Sequence, residues 1–127
     1  MYDKQYFKQL RDVVDEIQKE VDITTAQLEI ARGWVIVNCF SNIDTYLNLI
    51  SEFTMRMQLT TYQILGDFNA YAENCCCGFN VPFSDSLVAR ALEHRITMQR
   101  DHIDSIRLFL DTIREQGFKI PQNPFLN

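Results

Sequence analysis

Residues 34–53, WVIVNCFSNIDTYLNLISEF, decide the fold class. Taken alone, Trp34, Val35, Ile36 and Val37 read as a strand, because aromatic and β-branched side chains suit a pleated, half-buried surface. One feature favours helix instead: Phe40, Ile43, Leu47 and Ile50 continue the run at helical spacing. Apolar residues are too dense here for one stripe, so this segment must be covered on more than one side.

Working outward, charge divides the chain into three parts. Residues 1–32 carry 12 charged side chains and residues 84–127 carry another 12, whereas the 51 residues between them carry five: Asp44, Glu52, Arg56, Asp67 and Glu73. The central part also holds all four cysteines and nine of the 15 aromatic residues. Its composition suits burial, either beneath the two charged flanks or against another chain.

In the first flank, Tyr6, Leu10, Val13, Val14, Ile17, Val21, Leu28 and Ala31 fall on one helical stripe. Opposite charges four residues apart, such as Lys8 with Asp12 and Asp15 with Lys19, support the outer face. Two ends are open for this helix. Gly33 suits a C-terminal cap, while Thr24 with Gln27 forms a capping-box pattern that would start a new helix near Asp22. A second such pattern, Thr60 with Gln63, predicts a break near residues 55–61 and a further helix to Cys77. Residues 78–83 read as a loop, with Ser84 or Asp85 as the N-cap of the last helix.

That last helix is predicted over residues 85–116, with Val88, Leu92, Ile96, Ile103, Ile106, Leu110 and Ile113 facing inward and Gly117 ending it. Pro121 and Pro124 keep the tail out of a helix. The expectation is an all-α fold: an antiparallel four-helix bundle over residues 1–118, with an extended docking tail over residues 119–127.

Composition excludes several classes. At 127 residues the chain is about one domain, large enough to fold without disulfides or a structural metal. It is 46% hydrophobic with four glycines and three prolines, which is neither disordered nor fibrous. A net charge of −5 opposes direct binding of nucleic acid. Residues 1–20 lack the apolar core of a secretory signal, and residues 34–50 are too often interrupted by Asn, Ser, Thr and Asp to span a membrane. Cys39 stands apart from the adjacent Cys75, Cys76 and Cys77, unlike a secreted disulfide framework, so a reducing cytoplasmic location is expected.

Motifs for catalysis are missing. A di-iron bundle needs Glu-x-x-His pairs, but Ala91 precedes His94 by three and Gln99 precedes His102 by three. There is no Gly-rich phosphate loop and no nucleophile elbow. Zinc would need the clustered cysteines plus Cys39, His94 and His102 to converge, yet adjacent helical side chains point about 100° apart. Packing is the simpler role for these thiols. The arginines at 90, 95, 100, 107 and 114 mostly have acidic neighbours, which fits a salt-bridged face rather than an anion site. No catalytic, cofactor-binding or metal-ligating residue is therefore predicted.

What remains is an interface. Trp34, Phe40, Tyr46, Phe53, Met55, Met57, Tyr62, Phe68 and Tyr71 form a low-charge aromatic and methionine set of the kind enriched where proteins meet, and Phe125 and Leu126 end the tail. The leading expectation is a non-enzymatic structural or assembly subunit that associates with itself, whether in the cytoplasm or as a component of a viral particle. An alternative is a small acidic inhibitor or adaptor, encoded by a virus or mobile element, that meets a basic protein through Asp12, Asp15, Glu16, Glu20 and Asp22. A metal-binding helical bundle is the third.

Overall fold

Three long helices account for most of the chain: α1 (Lys4–Val37), α2 (Ile43–Cys76) and α3 (Leu87–Arg114). This computed structural model describes residues 4–38, 41–76 and 87–125. The all-α class holds, but the expected fourth helix does not exist among the described residues, because both capping-box patterns lie inside continuous helices. Thr24 is buried, and its Oγ1 donates 2.7 Å back to Glu20 O, one turn earlier, instead of capping a new start. Thr60 is likewise buried midway along α2, so the break expected at residues 55–61 is absent. Gly33 is passed as well, since α1 ends four residues later.

The actual break comes where the apolar pattern suggests continuity. Trp34, Val35, Ile36 and Val37 are helical, but they close α1 rather than open the central helix. Asn38 turns the chain, its Nδ2 donating to Trp34 O at 2.8 Å. Asn42 then starts α2, its carbonyl accepting from Tyr46 N at 3.1 Å, as an N-cap carbonyl does. Asp44 in the first turn complements the positive end of the helix. The loop expected over residues 78–83 and its caps lie outside the described residues.

Ring contacts settle the topology. Phe7 near the start of α1 stacks on Phe68 and Tyr71 near the end of α2, so these helices are antiparallel. Tyr46 and Phe53 early in α2 meet Phe109 late in α3, making that pair antiparallel too. Tyr6 bonds Glu93, and Trp34 meets Phe118, so α1 and α3 run parallel. The result is an up-down-up bundle about 50 Å long.

Its core follows a 3.5-residue period. Leu10, Val14, Ile17, Val21, Thr24, Leu28, Ala31 and Val35 on α1 alternate steps of four and three, and all are buried. Ala89, Leu92, Ile96, Gln99, Ile103, Ile106, Leu110 and Ile113 do the same on α3. On α2, Ile50, Met57, Ile64 and Tyr71 are buried at steps of seven. This is the pattern of helices packed side by side at a shallow angle, as in coiled coils. Each buried Leu or Ile contributes about 1.5–3 kcal/mol relative to exposure.

Gly117 ends the bundle as expected, with φ +109° and its N–H on Arg114 O at 3.0 Å. The tail then folds back along its own α1. Phe118 is buried against Trp34, Ile120 packs on the core, and Pro121 O accepts from Gln27 Nε2 at 2.6 Å.

Candidate functional site

The outer face of α2 is the feature of this bundle that its own core does not use. A helix with one buried stripe leaves the opposite stripe to water, and there charged residues ordinarily dominate. On α2 they do not. Met55 is 65% exposed, Leu59 58%, Tyr62 76% and Leu65 40%. Between Met57 and Ala72 the only charged residue is Asp67, and it turns away from this face to bind Arg95 of α3. Glu52 and Arg56, at one end, satisfy each other across one helical turn.

The expected interface residues divide accordingly. Met57 and Tyr71 are buried in the core, and Trp34, Tyr46, Phe53 and Phe68 are half-buried and packed against it. Tyr46 also accepts a 2.7 Å hydrogen bond from Gln116 Nε2. Met55, Tyr62 and Phe125 are exposed. Phe40 and Leu126 lie outside the described residues. Leu59, Leu65 and Gly66, which composition alone does not single out, complete the exposed face. Leu59 and Gly66 extend Met55 and Tyr62 into a series of alternating steps along the helix, with Leu65 beside it.

Beside this face runs a groove of about 940 Å³ between α1 and α2. Val21, Ile23 and Ala26 line one wall, Gln58, Thr61 and Tyr62 the other, and Phe125 sits where the tail reaches it. Tyr62 thereby joins the exposed face of α2 to the tip of the tail.

Titratable groups form no reactive constellation among the described residues, where no three of His, Cys, Asp and Glu converge as metal ligands. The side chains of Cys39, Cys75, Cys76 and Cys77 lie outside the described residues. His94 is exposed, and His102 lies on the half-exposed flank of α3. Partial burial, with Arg56 adding to it and Asp101 opposing, holds the His102 imidazole below its ordinary pKa. Burial, reinforced by the hydrogen bond to Glu93, raises the Tyr6 phenol above its own. Of the arginines considered as an anion stripe, Arg95 pairs with Asp67 and Arg107 with Asp104.

No helix among the described residues is long and apolar enough to cross a membrane. No family model matches the chain, and neither a curated protein nor a solved structure matches it.

Proposed function

We propose that this chain is a non-enzymatic structural or assembly subunit that associates with itself through the outer face of α2. One observation carries the reading: Met55, Leu59, Tyr62 and Leu65 are exposed together on a length of helix whose exposed charges, Glu52 and Arg56, pair with each other. Contiguous apolar surface rimmed by polar residues is the usual mark of a protein contact. Charge favours a second copy as the occupant. With a net charge of −5, two copies repel across most of their surfaces, and a face of no net charge is where they approach without opposing like charges. Cysteines without disulfide-framework spacing support a reducing, intracellular setting.

The acidic-adaptor reading would place a basic partner on α1, where Asp12, Asp15, Glu16 and Asp22 are exposed. Lys8, Arg11 and Lys19 are exposed among them, which weakens any single-sign field.

Light scattering on the purified chain tests the choice. A mass of more than one chain, held on dilution through the micromolar range, is the expected result. A single-chain mass throughout that range refutes self-association, and salt-sensitive capture of a basic protein would then favour the adaptor.

A further inference from the structure

The outer face of α2 is spaced as a second coiled-coil seam. Glu52, Met55, Leu59, Tyr62, Gly66 and Asn69 follow one another in steps of three, four, three, four and three, and all six are exposed. Their period is the one with which Ile50, Phe53, Met57, Thr60 and Ile64 face the core from the opposite side. Any stripe two residues out of phase with the core series inherits its spacing; what marks this one is that Met55, Leu59 and Tyr62 stand exposed along it, apolar and aromatic side chains of the kind a neighbouring helix packs against.

Gly66 makes this seam specific. It lies inside α2, where glycine is less favourable than alanine. A Cβ built on it would meet nothing within 4 Å, so packing within the chain gives no reason for its presence. On an interhelical seam, a missing side chain is a notch that a long side chain from the other helix can enter.

We infer that α2 pairs antiparallel with α2 of a second copy, about a twofold axis that passes between Thr60 and Thr61. This inference rests on the self-association proposed above and adds its geometry. In that register Leu59 of each copy faces Tyr62 of the other, Met55 enters the notch over Gly66, and Glu52 lies against Asn69. The flanking positions bring Arg56 towards Gln63 and Gln58 towards Leu65, so no like charges oppose. A parallel pair would set Glu52 against Glu52, and would leave two Gly66 notches facing each other unfilled. An isologous contact of this kind closes at two chains.

The experiment uses two full-length variants, Leu59→Glu and Tyr62→Lys, at positions exposed enough to leave the fold intact, with helicity checked by circular dichroism. Light scattering is expected to give two-chain particles for the unsubstituted protein and single chains for each variant alone. An equimolar mixture of the variants is expected to return to two chains. Antiparallel pairing gives the mixed pair one native Leu59–Tyr62 contact and one contact between the introduced opposite charges. A mixture that stays at single-chain mass overturns the antiparallel register. Variants that keep the two-chain mass overturn the use of this face while leaving self-association standing. An unsubstituted protein that runs as a single chain overturns both.

Discussion

Gln99 shows how a single polar residue can organise an apolar seam. It is fully buried, and its Nε2 donates to Met57 O at 3.0 Å and to Thr61 Oγ1 at 2.9 Å, locking α3 to α2 at one register. Its Oε1 has no hydrogen-bond partner among the described residues, and an unmet buried carbonyl costs about 1–3 kcal/mol. Met57 O already belongs to the ladder of α2, so it loses little without Gln99. Gln99→Leu is therefore expected to stabilise the fold by about 1 kcal/mol, read as a higher urea midpoint with an unchanged slope. A lower midpoint would show that the two donated bonds outweigh the orphaned oxygen.

His102 carries a pH dependence. Its folded pKa lies below the unfolded value of 6.5, so the unfolded chain binds more protons in the interval between them. Its contribution to stability is complete above 6.5 and is lost as pH falls through the folded value. The drop in Tm between about pH 7.5 and about pH 5 is expected to be smaller in His102→Gln than in the unsubstituted chain. Equal drops would assign the slope to other groups.

At the scale of the element, continuity of the apolar phase outranked local start and stop signals. The stripe on α1 runs from Leu10 to Val35 without a slip, so Thr24 and Gln27 gain more from packing than from capping. Gly33 likewise ends nothing, and a Cβ there would meet nothing within 4 Å. Gly33→Ala is expected to raise stability by about 0.5–1 kcal/mol, measured as an increase in Tm, because the helix keeps its path and the unfolded chain loses freedom. Destabilisation would mean that the position is used by a contact with another molecule. The break that does occur, at Asn38, is made by an asparagine side chain folding onto the preceding turn. That signal was legible but weak beside Trp34, Val35, Ile36 and Val37, whose density suggested a helix continuing onward. In α3 the residues expected to face inward skipped position 99, where the 3.5-residue period required a member and the sequence offered a glutamine.

At the scale of the molecule, the tail does part of the covering that a fourth helix was expected to do. Phe118 is 4% exposed, and its ring lies 5.5 Å from that of Trp34, the chain's single tryptophan. Phe118→Ala is expected to cost about 3 kcal/mol and to shift Trp34 emission to longer wavelength as water reaches the indole. Unchanged emission would place the Trp34 environment under the control of the helices alone.

The sequence by itself determined the helical class, the inward stripes of α1 and α3, the end at Gly117 and the contrast between charged flanks and a charge-poor middle. Each is written in periodicity or in the chemistry of one residue, which act over a few turns. Only the tertiary structure decided that the described residues form three helices and which way Trp34, Tyr46, Phe53, Met57, Phe68 and Tyr71 point. Spacing on one helix gives relative angles between side chains, and the absolute direction of a stripe depends on where the other helices lie. On α2 two seams share the same period, so the choice of the one that faces inward belonged to packing. The seam left outside, from Glu52 to Asn69, is the part of the charge-poor middle that the bundle leaves exposed.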